Sequence, residues 1–235
     1  MDTKRNLRYF TAPIISPYTT VGFLVAVIGL IGMWITIKDR FVPYIFLLAG
    51  IAGIIFIIYG RGRNSKPADI DFQISEKIKY MDETAQKKHE VYESHFNRIV
   101  KPVHLKGFDY LSKDILFKRG TDNKNRTSLY NAAVLYFTKD TMYVYGMHFS
   151  LIDELFDKEI LASYKFTDLD HAEIVDDVFT YVRNEKYTYR VNTHSFRIVT
   201  NDGKDAVMMS VSYGADMDQA CSEINHVIEL AKEKA

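Results

Sequence analysis

Five carboxylates fall within ten residues of this chain: Asp168, Asp170, Glu173, Asp176 and Asp177. Such a cluster suits a divalent cation or a basic partner. A calcium loop needs a patterned series of oxygen ligands and a glycine at its sharp turn. The segment LDHAEIVDD has neither the pattern nor the glycine. It reads as a solvated loop at a strand end, and its carboxylates are the candidate surface for a partner. The seven histidines stand at 89, 95, 104, 148, 171, 194 and 226, without the short paired spacing of a zinc site. Cys221 is the single cysteine, so neither a disulfide nor a cysteine-based zinc site forms within one chain. No nucleophile-elbow pattern accompanies the serines, and Gly60 and Gly62 precede Arg63 rather than a Lys-Ser helix start. The expectation is therefore no catalytic residue, no metal and no cofactor: binding rather than catalysis.

Basic residues form two groups. Arg61, Arg63 and Lys66 follow a long apolar run, and Lys118, Arg119, Lys124 and Arg126 surround Asp122 in a short loop. Both are candidate contacts for lipid headgroups. The net charge is zero but uneven, with eight Lys/Arg against two Asp/Glu in residues 1–66 and 22 against 28 in the remainder. An acidic remainder argues against nucleic acid, whose affinity comes mainly from phosphate neutralisation.

The elements that must position these groups begin with an apolar hairpin. Val21 to Ile37 and Phe41 to Tyr59 carry no charge, and Lys38-Asp39-Arg40 joins them. About 20 helical residues cross a hydrocarbon core of about 30 Å. The runs predict two membrane spans, about 14–37 and 41–59, inside an N-terminal region 1–66 whose first 13 residues are a polar lead-in. Gly22, Ala26, Gly29, Gly32, Ala49 and Gly53 are small enough to bring helix backbones close, within the hairpin or between chains. Lys4, Arg5 and Arg8 before the first span and Arg61, Arg63 and Lys66 after the second outnumber Lys38 and Arg40 in the turn. The positive-inside bias then places both termini, and whatever follows, in the cytoplasm at the plasma membrane.

Residues 67–102 read as a linker and an amphipathic helix over about 70–100. Ile74, Ile78, Met81, Ala85, Tyr92, Phe96 and Ile99 make one stripe near a 3.5-residue period. The stripe suits either packing on the following domain or a coiled-coil stalk. Pro102 closes it. Residues 103–235 are a separate domain. Leu129–Thr138 and Thr141–Phe149 alternate with period two around Lys139-Asp140 and predict a hairpin. Glu159–Phe166, a short His171–Val175, Tyr187–Val191, Ser195–Thr200 and Ala206–Ser212 supply the other strands, with the turn Asn201-Asp202-Gly203-Lys204 before the last. A C-terminal helix N-capped by Asp216, with Gln219 in the capping-box position, presents Met217, Ala220, Cys221, Ile224, Val227, Ile228 and Ala231 on one face.

About seven antiparallel strands followed by one helix, with the hairpin AAVLYFTKDTMYVYGMHFSL and the segment ASYKFTDLDHAEI, resemble a bacterial pleckstrin-homology-like domain behind membrane spans. The resemblance implies an α+β fold: a two-helix transmembrane hairpin, a long amphipathic helix, then an antiparallel β-roll or barrel closed by the C-terminal helix. It also implies a binding scaffold without catalytic activity. Phosphoinositide-binding members place a cationic cluster after the first strand. Here Lys139 stands beside Asp140, so a specific phosphoinositide is not expected. The expected function is a membrane-anchored interaction or scaffold module. Its partners are membrane lipids through the spans, and either a second protein or another copy of itself. The alternative is a structural subunit of an oligomeric membrane assembly or a transport or secretion complex.

Overall fold

The computed structural model describes residues 1–12, 17–62, 64–88, 101–183 and 187–233. It contains two compact units, Asp2–Ile70 and Asp71–Ala235, the latter with Met1. The fold is mixed α+β.

The first unit opens with a helix where a polar lead-in was expected. Helix α1 (Thr3–Thr11) is N-capped by Asp2, whose side chain accepts from the Arg5 N–H at 3.2 Å. Its buried Asn6 accepts from Ser65 Oγ at 2.7 Å through Oδ1. That partner lies 59 residues along the chain, which is why local composition misses the helix. Helices α2 (Pro17–Ile35) and α3 (Val42–Gly62) are the apolar pair, with mean hydropathy of 2.0 and 2.4 in their windows. Proline opens α2, where its missing N–H costs nothing. Of the residues in those windows, 17% and 11% are buried, so the apolar side chains face outward. A soluble core helix buries such a surface. Both helices are long and apolar enough to cross a membrane.

Their contact is made of glycine. A Cβ on Gly22 would stand 2.7 Å from the Gly53 carbonyl oxygen, and one on Gly29 would stand 2.5 Å from the Gly50 nitrogen. Backbones this close leave no room for a side chain, and they gain van der Waals contact that lipid does not offer.

The second unit has nine strands in three sheets among its described residues, where about seven were expected. A four-stranded antiparallel sheet has the order β1-β4-β5-β6, from β1 (Val103–Phe108), β4 (Leu129–Phe137), β5 (Thr141–Ser150) and β6 (Lys158–Lys165). A small hairpin pairs β2 (Phe117–Arg119) with β3 (Asn125–Thr127). A three-stranded sheet has the order β7-β8-β9, from β7 (Leu169–Arg183), β8 (Tyr187–Thr200) and β9 (Asp205–Val211). The ladders do not close into a barrel. The expected short strand at 171–175 is instead fifteen residues long, and the two strands expected at 187–200 are one. Cross-strand pairing of Asp176 with His194 and of Glu173 with Arg197 carries β7 and β8 through polar positions that break a period-two reading.

The two larger sheets meet where β9 crosses β1. Ser212 donates its N–H to the Lys106 carbonyl at 2.9 Å, and a Cβ on Gly107 would stand 2.7 Å from the Ser210 carbonyl oxygen. Their facing sides form one core, from Leu105, Leu135 and Val144 on one side to Phe196 and Ile198 on the other. Helix α5 (Ala215–Lys232) completes it with Ala220, Cys221, Ile224, Val227 and Ile228. Its N-cap is Gly214, not Asp216. Asp216 and Asp218 sit inside the first turn, where they favour the helix dipole, and Gln219 bonds Glu223 instead of reaching back. Asn225 clamps β7 to α5, accepting from the Ala172 N–H at 2.6 Å and donating to its carbonyl at 2.9 Å.

Helix α4 (Pro67–Lys88) packs its stripe on the domain rather than forming a stalk. Ile74, Met81 and Ala85 are buried, while Lys77 lies over the Phe149 ring and Lys88 over the Tyr145 ring. The continuation expected over 89–100 lies outside the described residues.

Two substitutions test these contacts. Gly29→Leu is expected to separate α2 from α3 and lower the thermal midpoint of the full chain in detergent, at a cost of about 1–3 kcal/mol. Gly107→Ala is expected to push β9 off β1 at a similar cost, read by denaturant unfolding with tyrosine fluorescence.

Candidate functional site

The acidic residues do not form the loop expected of them. Except for Asp168, which lies in a 3-10 turn, they belong to strand β7. Strand alternation divides them between two faces, and three are already engaged. Asp170 pairs with Lys232 at 3.3 Å and His171 at 2.9 Å, Glu173 with Arg197 at 3.0 Å, and Asp176 with His194 at 2.7 Å. Asp176 and Asp177 remain exposed, and the Asp176 side chain is 81% accessible.

The basic loop is corrected more sharply. Arg126 is buried and does not reach for headgroups. Its guanidinium makes two forked pairs, to Asp71 of α4 at 2.9 and 2.7 Å and to Asp122 at 2.9 and 2.7 Å. Arginine is the side chain whose planar fork permits this. It was misread because the Asp71 partner lies 55 residues upstream. Arg119, Lys124 and Lys66 are exposed, and Lys118 is half-buried. The Arg61 side chain and the whole of Arg63 lie outside what is described. Of the small span residues, Gly22, Gly29 and Gly53 are buried in the α2–α3 contact, Ala26 packs against Gly53, and a Cβ on Gly32 would strike the Phe46 ring. Ala49 is half-buried.

A concave site appears where none was expected. The inner face of the four-stranded sheet extends past the edge of β9, leaving a cleft of about 240 Å³. Ala133 of β4, Gly146 of β5 and Ala162 of β6 floor it, and small residues are what keep it open. Val144, Ile160 and Met208 make apolar walls. Asp109, Ser112, Asn131 and His148 gather at one end. Tyr164 closes part of the far side by donating its hydroxyl to the Ala206 carbonyl at 3.0 Å.

Asp109 is the chemical centre of that end. Its carboxylate is buried, 2% accessible, in the loop after β1. Oδ1 accepts the Leu111 N–H at 2.8 Å and the Ser112 N–H at 3.4 Å. Oδ2 accepts the Ser112 hydroxyl, and His148 Nε2 stands 3.2 Å from it. Burial pushes this carboxyl up, but the contacts from His148, Ser112 and Leu111 outweigh it and hold the group below its ordinary value. A serine, a histidine and an aspartate thus meet, with the carboxylate in the middle. A nucleophilic triad needs the histidine between the other two, taking the serine proton. Here serine and histidine share one acceptor, so the arrangement holds a negative charge rather than activating a nucleophile.

Cys221 is buried in the core and burial pushes its thiol up to about 11, away from the reactive thiolate. Among the described residues no group of three or more His, Cys, Asp or Glu is placed to hold a metal ion. Among the described residues no strand pairs with the outer edge of β6, and the turn before it exposes Leu155 at 94% together with Phe156. The carboxylates around that apolar knuckle are engaged: Asp157 pairs with Lys77, Glu159 with Lys88 and Glu154 with the N-terminal amine, and Asp153 accepts the Leu155 N–H.

The Arg126 pairs set a pH dependence. Chiefly through the Arg126 hydrogen bonds, the Asp122 carboxyl is held down to about 2. A folded value below the unfolded value of about 3.9 gives a contribution present above that range and lost as pH falls through the folded value. Between pH 6 and 3 the thermal midpoint of the parent chain is expected to fall further than that of Asp122→Asn. Equal slopes would remove Asp122 from the acid response.

The chain matches no protein-family model, no curated protein and no solved structure.

Proposed function

We propose that this chain is a membrane-anchored interaction module that binds rather than catalyses. In this reading α2 and α3 lie in the plasma membrane with both termini on the cytoplasmic side. The second unit is a pleckstrin-homology-like domain that offers the β9-edge cleft and the exposed Asp176 and Asp177 to a partner. The observation that carries the reading is the order of the described elements. Two outward-facing apolar helices precede an antiparallel four-stranded sheet, a three-stranded sheet and a C-terminal helix that fills the core between them. That is the order of the resembling family, with β2–β3 as an inserted hairpin.

The geometry of Asp109 supports binding over catalysis, because it places a carboxylate beside an apolar cleft and leaves Ser112 without a histidine base. With β1 as the first strand, the loop in which the family places its cationic cluster is 109–116. It offers Lys113 beside Asp109 and Asp114, which does not favour a phosphoinositide headgroup. The consumption of Gly22, Gly29 and Gly53 inside one hairpin supports an anchor over a subunit whose spans pack between chains.

Two measurements test this. In a Cys221→Ser background, Asp39→Cys is expected to react with an impermeant maleimide in intact cells, and Lys139→Cys only after lysis. The opposite pattern would invert the topology. A photoreactive residue at Met208 of the full-length protein is expected to cross-link in cells to one discrete second protein, and Ala162→Leu, which fills the cleft floor, is expected to abolish the link. Self-links alone, unaffected by Ala162→Leu, would favour the structural-subunit reading.

A further inference from the structure

The cleft holds a buried carboxylate at one end. Asp109 and His148 are the ionisable groups among its described lining residues, and there is no lysine or arginine among them. The Asp109 carboxylate accepts from the Leu111 and Ser112 amides and the Ser112 hydroxyl, and His148 Nε2 stands 3.2 Å from its Oδ2. Hydrogen bonds from neutral donors keep a carboxylate ionised but leave its charge in place. A charge taken out of water is ordinarily paired with an opposite one. Against a neutral His148 imidazole the cleft carries a negative potential at one end of an apolar channel. An anionic ligand is repelled there, and a neutral one leaves the charge uncompensated. A single carboxylate does not supply the ligand set of a metal ion.

The walls limit the shape of the cation. Ala133, Gly146 and Ala162 give a narrow apolar floor, and the whole cleft of about 240 Å³ is small for a ligand site. A broad planar group does not suit it, whereas a slim methylene chain does. Beside the floor runs the edge of β9. The Ala206 carbonyl points outward to Tyr164, and the Ser212 N–H points outward to Lys106. In a strand, residues two apart turn their backbone groups to the same side. Met208, between those two, thus turns its N–H and carbonyl toward the cleft that its side chain helps to line.

We propose that the cleft is a binding site for a protonated amine carried on a short apolar stem, its ammonium against Asp109 and its methylenes over Gly146. This rests on the reading of the domain as a binding module and names the chemistry that module selects. The same chemistry comes from a free alkylamine or from a lysine side chain on an extended peptide, whose backbone would pair with Met208.

The test is NMR of methyl-labelled full-length protein in nanodiscs, titrated with n-butylammonium, n-butanol and butyrate, and with N-acetyl-Ala-Lys-Ala amide. Butylammonium is expected to shift the methyls of Ala133, Ile160, Ala162 and Met208, with butanol and butyrate at least about tenfold weaker, as a charge-assisted contact requires. Tighter binding by the tripeptide, with a shift of the Met208 amide, assigns the lysine source. Equal or weaker binding by it assigns the free amine. Asp109→Asn is expected to remove the preference for the amine. Because Asp109 also holds its loop, Ala162→Leu is the second variant, expected to remove binding of every probe while the methyls of Phe196-contacting core residues keep their positions. The proposal is overturned if butanol binds as well as butylammonium, if no probe shifts the cleft methyls, or if binding survives Ala162→Leu. A cross-link from Met208 that persists alongside any of these results would leave the binding module standing and sink the amine alone.

Discussion

The second unit depends on the crossing of β9 over β1. Two sheets with apolar inner faces gain by burying those faces, but their strands run in different directions and touch closely at a corner. Gly107 makes that corner, since any side chain there would meet the Ser210 carbonyl and the Val211 Cα. The Ser212–Lys106 hydrogen bond fixes the crossing. Once it is fixed, two consequences follow from geometry. On one side the gap between the sheets is filled by α5, whose Ile224 and Ile228 are wholly buried. On the other, β9 ends its cover before the four-stranded sheet does, and the small residues Ala133, Gly146 and Ala162 leave the uncovered part hollow. The core and the cleft are two ends of one arrangement.

The outer face of the same sheet has a different solution. Tyr130, Tyr136, Tyr145 and Phe149 need cover, and α4 provides it with Ile74, Met81 and Ala85. A buried guanidinium is a costly way to hold a helix unless every donor finds a charge. Arg126 sets Nε and both terminal nitrogens against two carboxylates from different elements, which makes it a positional lock as much as a source of stability. The hydrophobic pattern alone permits α4 to slide by a turn, whereas the fork to Asp71 does not.

The apolar pair α2 and α3 works by another rule. Around α2 and α3 the apolar surface faces outward, so burial of apolar area is not what joins them. Close backbone contact through Gly22, Gly29, Gly50 and Gly53 does. Small residues in an apolar span are compatible with contact inside one chain or between chains. In this chain they are spent within the hairpin.

Some of this was open to reading from residue types. The absence of charge over Val21–Ile37 and Phe41–Tyr59 determined two helices of span length, because a helix satisfies its own backbone within the segment. The face Ala220, Cys221, Ile224, Val227 and Ile228 determined α5, since helical spacing is a local property. The β4–β5 hairpin followed from period-two alternation around Lys139-Asp140. Tertiary structure alone decided the rest, and each case has the same cause: the partner is distant in the chain. Helix α1 needs Ser65, Arg126 needs Asp71, and β7 runs far past its apolar start because β8 pairs with it to the end. The cleft is the extreme example. Its polar end comes from the loop at 109–112, its floor from three strands between 133 and 162, and its open edge from 206–209, and no local pattern in any of these five segments marks it before the sheets cross.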